Sequence, residues 1–294
     1  MILIVGGTGF VGTHLAQRLR KAGLRLRVVV RDPEKAETIR GEGVETILGD
    51  ISDPASLEKA CKDMERVVHL VGIIQEGSGA TFKAVHVEGT RNLIQAAKTA
   101  GVRHFFYQSA LGTRPNAKSE YHRTKWEAEE LVRGSGIPYT ILRPSLIYGP
   151  GDQFTSRLSE IIKSSPVIPV IGSGRSKIQP IYIEDATVCI EKIVTSDTFL
   201  NEIYEIGGPE QLTYEEVTRA IAGAMGVSRP LVHVPVFFIK TMSRLLGSML
   251  SRPPITTDQI IMLMEDNVCS MKDIREAFGV EPVTFAEGLK RFML

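Results

Sequence analysis

The chain has 294 residues, 43% of them hydrophobic, with 35 Lys and Arg against 34 Asp and Glu and a net charge of +1. That is enough apolar sequence for one large or two ordinary domains, and the even balance argues against general attraction to nucleic acid or anionic lipid. Three scattered cysteines (Cys61, Cys189 and Cys269) stand in no metal-ligating spacing and read as reduced thiols of a cytoplasmic protein.

The apolar run MILIV opens the chain and leads directly into a glycine turn, so no leader segment is expected before the fold. No apolar run is long enough to span a bilayer. Up to about residue 150, strands MILIV, LRVVV, VETIL, RVVHLV, HFFYQS and PYTILR alternate with helical periods. These include LAQRLRKAG, PASLEKACKD, the stretch from Thr81 to Ala100 and the segment from Ala117 to Val132. Such alternation predicts βαβ units, hence an α/β doubly wound parallel sheet of Rossmann type with helices on both faces. Asp53-Pro54 marks a helix start and Gly101 a helix stop. After RPSLIYGPGD the strands become short and widely spaced. A cofactor domain over 1–150 and a smaller mixed lobe over 151–294, with some strand exchange between them, is the expected division.

GGTGFVG, residues 6 to 12, follows a strand and opens a helix. Small residues there let the backbone turn sharply and approach a pyrophosphate, whose charge is met by amides at the helix N-terminus. Dinucleotide binding is the expectation, because strand, turn and helix occur together. The second strand ends in Arg31, where an arginine accommodates a 2′-phosphate and an acid favours the free hydroxyl. Arg31, with Lys35 one turn on, points to NADP(H). Asp32 leaves NAD(H) open should the register move by one. Asp50, after VETIL, either reaches the adenine edge or caps a turn. The basic residues between Arg18 and Arg40 otherwise read as a solvated helix face with a small anion site.

With GGTGFVG, the Gly49-Asp50 pair, VHVEGTRNLIQAA, YHRTK and RPSLIYGPGD in this order, the chain resembles the short-chain dehydrogenase/reductase superfamily in its extended or atypical branch. VIGSGRSKIQPIYIEDA, YEIGGPEQLTYEEV and PITTDQIIMLMEDNV further resemble the NAD(P)-binding proteins related to the 39 kDa accessory subunit of respiratory complex I. The resemblance implies a Tyr-x-x-x-Lys pair as proton-transfer device, here Tyr121 and Lys125. Residues four apart share a helix face, so the ammonium could lower the phenol pKa and hold the nicotinamide ribose. The bare spacing would arise by chance in about one such sequence in three; its place, a dozen residues past HFFYQS, is what carries weight. The family's third hydroxyl falls on Ser109, although an extended-branch alignment puts Ala110 there, and Thr113 lies nearby. The cofactor set on this resemblance is Gly6, Thr8, Gly9, Phe10, Val11, Gly12, Arg31, Asp50, Ile51, Leu70, Val71, Gly72, Tyr121, Lys125, Pro144 and Ile147.

Three functions follow as expectations. The first is an NADP(H)-dependent oxidoreductase acting on a small-molecule carbonyl or quinone-like substrate. The second is a cofactor-binding accessory or assembly protein of a respiratory complex. The third is a nucleotide-sugar epimerase or dehydratase, disfavoured because Leu146 and Ile178 stand where those relatives carry diphosphate-binding polar residues. The segment 230–250 is densely apolar, with only Lys240 and Arg244 charged. It reads as a helix packed on the cofactor lobe, or alternatively as a surface meeting a membrane or a respiratory-complex partner. His69 reads as a satisfied core residue and His233 as structural. His86 stands where many relatives carry Asn. Trp126 reads as an anchor of its helix, Glu127, Glu129 and Glu130 as solvated helix, and Asp152 and Asp185 as loop caps.

Overall fold

The computed structural model describes residues 1–77, 79–239 and 255–293. It divides into two compact units, Met1–Arg143 with Ala186–Tyr204, and Pro144–Asp185 with Glu205–Leu294. The first unit therefore ends a few residues before 150 and regains the segment 186–204.

The first unit alternates strand and helix: β1 (Ile2–Val5), α1 (Phe10–Lys21), β2 (Leu26–Val30), α2 (Pro33–Ala36), β3 (Val44–Leu48), α3 (Pro54–Cys61) and β4 (Arg66–His69). A π-helical turn, Lys83–Glu88, runs into α4 (Gly89–Thr99), followed by β5 (His104–Gln108), α5 (Glu120–Arg133) and β6 (Tyr139–Pro144). Strands β1 to β6 pair in parallel in the order β6-β5-β4-β1-β2-β3. A seventh strand, Glu202–Ile206, lies beside β6 at the edge. Right-handed crossovers through helices place those helices on the two faces of such a sheet, which explains why β1 is buried along its whole length.

Local signals set the helix ends. The Asp53 side chain accepts from the Ala55 amide with Pro54 at the first helical position of α3, and Ser119 caps α5 through the His122 amide. Gly101 ends α4 at φ +70°, a left-handed conformation that glycine adopts without penalty. One core face joins Leu3, Val5, Val67, Phe105 and Tyr107 of the sheet to Leu57, Leu93, Ala97 and Val132 of the helices.

The second unit is mixed. Short pairs Ile147–Tyr148 with Ile181–Tyr182 and Lys177–Ile178 with Leu212–Thr213 accompany a longer parallel pair, Ile168–Ile171 with Leu231–Val234. Asp152 caps the helix Gln153–Ser164 by accepting from the Thr155 amide, and Asp185 accepts from the Val283 amide, so both carboxylates hold backbone. The His233 ring is half exposed and meets Glu215 at 3.1 Å, a surface pairing. Residues 240–250 of the apolar segment lie outside the described residues. Among the described residues, no helix is long and apolar enough to cross a membrane.

Candidate active site

At the carboxyl end of β1 the chain turns through Gly6 at φ +94°. A Cβ there would stand 3.0 Å from the Leu70 carbonyl carbon and the Val71 amide nitrogen, so the turn and the segment after β4 meet backbone to backbone. Gly12 is tighter still, because its Cβ would fall 2.2 Å from the Gly6 oxygen and 2.6 Å from the Gly7 Cα. The first turn of α1 thus packs on the glycine turn at a distance only hydrogen permits. Gly9 is the N-cap of α1, makes no side-chain cap bond, and no acid lies in the first helical turn. Amides and helix dipole at this cradle suit an anion, so Gly6, Thr8, Gly9, Phe10, Val11 and Gly12 form a site that fits a dinucleotide pyrophosphate.

Arg31 follows β2 and is largely exposed, with its guanidinium 3.8 Å from the Asp50 carboxylate. Burial works to raise the Asp50 pKa, but bonds from the Ser52 hydroxyl (2.6 Å) and amide (2.8 Å), with the Arg31 charge, outweigh it and hold the acid below its ordinary value. Asp50 is therefore a turn-capping acid as well as the partner of Arg31. Asp32, the alternative ribose acid, caps α2 by accepting from the Glu34 amide at 3.0 Å. Ile51 is buried, with its side chain against Gly89 at the start of α4.

The opposite end of the site lies between β4, β5 and α5. The Lys125 ammonium is buried, donates to the Gln108 carbonyl at 3.0 Å, and lies 4.9 Å from the Tyr107 ring centroid. A Cβ on Gly72 would be 3.1 Å from Lys125 Nζ, which brings the segment after β4 and the α5 lysine together. Burial lowers the Lys125 pKa to about 8, with the Glu129 carboxylate acting in the other direction. Tyr121, on the same helix, is partly buried and packs edge-on against Phe82 and His86. Desolvation pushes its phenol up to about 12, opposite to the lowering expected from a neighbouring ammonium. The sequence pattern gave the charge of Lys125 but not the desolvation, which dominates.

Two imidazoles complete this end. His69, wholly buried in β4, meets the Thr90 hydroxyl at 2.9 Å, and burial with the Lys125 charge lowers its pKa to about 3. His86 sits in the π-helical turn, meets the Thr124 hydroxyl at 2.9 Å, and is lowered to about 2 by the same causes. Ser109 directly follows Gln108; it is buried, and its hydroxyl lies 3.4 Å from that of Thr113, also buried. These two hydroxyls form one polar step at the end of β5.

Glu129 corrects the reading of the three acids of α5. Glu127 and Glu130 are exposed, but Glu129 is fully buried and accepts from Arg143 at 2.9 and 2.7 Å, with Arg133 at 3.4 Å. The sequence signal was available in its spacing: Glu129 lies four residues after Lys125 and three before Val132, on the buried face. Trp126 packs against the guanidiniums of Arg133 at 4.5 Å and Arg143 at 5.8 Å, so the anchor to β6 runs through arginine.

Pro144 and Ile147 belong to the second unit, at the end of β6 and in the short pair with Ile181–Tyr182. In that unit Leu146 packs against a cluster that contains Val170, Ile178 and Tyr214. The two positions where nucleotide-sugar relatives carry polar residues are thus part of one apolar core. Among the described residues, no group of three or more His, Cys, Asp or Glu could hold a metal ion.

The NAD(P)H-binding family matches residues 6–159, which span the glycine turn, Arg31, Asp50 and the Tyr121–Lys125 helix; the chain belongs to this family. It is 33% identical to a ceramide reductase of Caulobacter vibrioides over 80% of this chain and 74% of that protein. It is 25% identical to the mitochondrial NADH-ubiquinone oxidoreductase 40 kDa subunit of Neurospora crassa, over 96% of this chain and 76% of that one. An NADPH-dependent quinone oxidoreductase of Escherichia coli, solved with NADPH, shares the fold with a TM-score of 0.80, at 20% identity and 99% coverage of each chain.

Proposed function

We propose that this protein is an NADP(H)-dependent reductase of a carbonyl or quinone-like small molecule, with Tyr121 as proton donor. The observation that carries this reading is the buried Lys125 ammonium, held by the Gln108 carbonyl one helical turn from Tyr121 and against Gly72, in a chain of the NAD(P)H-binding family. A bound nicotinamide would supply a hydride at this end of the site. A phenol raised to about 12 is fully protonated at neutral pH, the state a donor to a developing alkoxide requires. Lys125 would hold the ribose and stabilise the phenolate left behind, while Ser109, with Thr113 beside it, would donate to the substrate oxygen. Arg31 would receive the 2′-phosphate, which supports NADP(H) over NAD(H), since a guanidinium matches a phosphate dianion. The relatives named as a ceramide reductase and a quinone oxidoreductase agree with a carbonyl or quinone acceptor.

A second reading has its own support. The likeness to a complex I subunit extends over 96% of this chain, which favours a respiratory accessory or assembly protein in which the cofactor is bound without turnover. The test is NADPH absorbance against a panel of quinones, aldehydes and ketones, with wild type beside Tyr121→Phe. Oxidation that falls at least ~100-fold in the variant is the expected result for a lost general acid. NADPH that binds and stays reduced with every acceptor would overturn the reductase reading in favour of the accessory one.

A further inference from the structure

The residue that joins the separate parts of this end of the site is His86. Its ring is fully buried and touches three segments. Its Nε2 lies 3.1 Å from both the amide nitrogen and the carbonyl oxygen of Ile73, next to Gly72 in the segment that faces Lys125. Its Nδ1 lies 2.9 Å from the Thr124 hydroxyl, on the residue immediately before Lys125. Its face stacks on Phe82, at 5.5 Å between centroids and 28° between planes, and it meets the Tyr121 ring at 5.4 Å and 86°.

The surroundings of the Thr124 hydroxyl match one tautomer at Nδ1. The single Thr124 hydroxyl proton points towards the Glu120 carbonyl (2.9 Å), with the Tyr121 carbonyl at 3.1 Å, and its oxygen then accepts from His86 Nδ1–H. Nε2 then accepts from the Ile73 amide. The Ile73 carbonyl, also 3.1 Å from Nε2, receives no proton from the ring in this tautomer, and burial with the nearby Lys125 charge keeps the ring neutral. The ring reaches these partners from the π-helical turn Lys83–Glu88, whose extra residue shifts the facing of side chains relative to an unbroken helix.

We infer that His86 is a positioning residue: a neutral cross-brace that holds the Gly72–Ile73 segment, the Tyr121 ring and the Lys125 turn of α5 in one arrangement. It exchanges no proton with substrate. This inference rests on the reductase reading for its catalytic consequence, but its geometric content does not.

The test compares wild type with His86→Leu and with Thr124→Val, which removes only the Nδ1 grip. The proteins carry 3-fluorotyrosine, and the Tyr121 resonance is assigned by Tyr121→Phe. In His86→Leu the Tyr121 titration midpoint is expected to fall by a unit or more as water gains access to the phenol. The NADPH dissociation constant is expected to rise at least tenfold and kcat to fall more steeply than KM changes. Thr124→Val should move the same readouts in the same directions by about threefold, and it decides the matter if His86→Leu does not fold. A Tyr121 midpoint and an NADPH dissociation constant within error of wild type, in a folded variant, would overturn the inference. If wild type reduces nothing on the panel, the reductase reading fails by itself, while the fluorine titration and NADPH binding still decide the role of His86.

Discussion

The two ends of the candidate site are built from different materials. The phosphate end consists of backbone: the Gly6 turn, the uncapped amides at the start of α1, and a helix pressed against the turn at Gly12. Its ionisable groups, Arg31 and Asp50, stand at the margin and are open to water. The opposite end consists of side chains, with Lys125, His69, His86 and Tyr121 gathered between β4, β5 and α5, and Glu129 one turn farther along α5. Every resolved shift among them has burial as its first cause. An anion can be held by fixed dipoles that never titrate, whereas proton transfer needs groups whose ionisation the protein can move. The first end should therefore be indifferent to pH and intolerant of volume, and the second the reverse.

Acid should separate them most strongly. At the second end His69 and His86 are lowered to about 3 and 2, and His104, at the start of β5 beside Thr140 and outside the site, to about 4, each chiefly by burial, from an ordinary value near 6.5. In the unfolded chain they take up protons below pH 6.5, while in the folded protein they stay neutral. The stability they contribute is thus complete above about 6.5 and lost as pH falls towards their folded values. Three such protons give a slope of roughly 4 kcal/mol per pH unit between about pH 6 and 4. Urea unfolding across that range measures it; a slope below one proton would show that these rings are not kept neutral by the fold.

Volume should act at the other end. Gly12→Val places atoms within 2.2 Å of the Gly6 oxygen, backbone that cannot swing aside. A loss of at least ~3 kcal/mol is expected, together with NADPH binding, and the loss should be the same at pH 6 and 8. Thermal melts and NADPH titration at the two pH values check it; a cost that changes with pH would blur the distinction between the ends.

The smallest effect is at the margin. Arg31→Asp should shift preference from NADPH towards NADH by about 1.5–3 kcal/mol, roughly ten- to a hundredfold, the value of a charge-assisted hydrogen bond. Parallel titrations with the two cofactors read it directly. An unchanged ratio would remove Arg31 from the cofactor site and leave its contact with Asp50 as its only visible role.

The sequence reading was most complete where structure is local. Strand, glycine turn and helix follow one another within residues 1–21, and the constraint at Gly12 acts on atoms six residues away, so a short pattern contains nearly all of it. The caps Asp53 and Asp152 are equally local. Glu129 was misread as solvated because its partners are Arg133, one turn away, and Arg143, on the next strand; exposure depends on where β6 lies beside α5. The phenol direction at Tyr121 failed for a related reason. Spacing reports which charges are near, while the rings that cover Tyr121, Phe82 and His86, come from another helical segment.

By itself, then, the order of residues determined the parallel α/β architecture, the anion cradle and the placement of Tyr121 and Lys125 on one helix face. Those features arise from hydrogen-bond periodicity and steric limits within a few residues of chain. Only the tertiary structure decided that Lys125 is desolvated, that Glu129 is buried between arginines, and that His86 grips Ile73 and Thr124 at once. The physical reason is that desolvation and long-range hydrogen bonding depend on which distant segments exclude water from a group, a property of the packed chain with no signature in any one stretch of it.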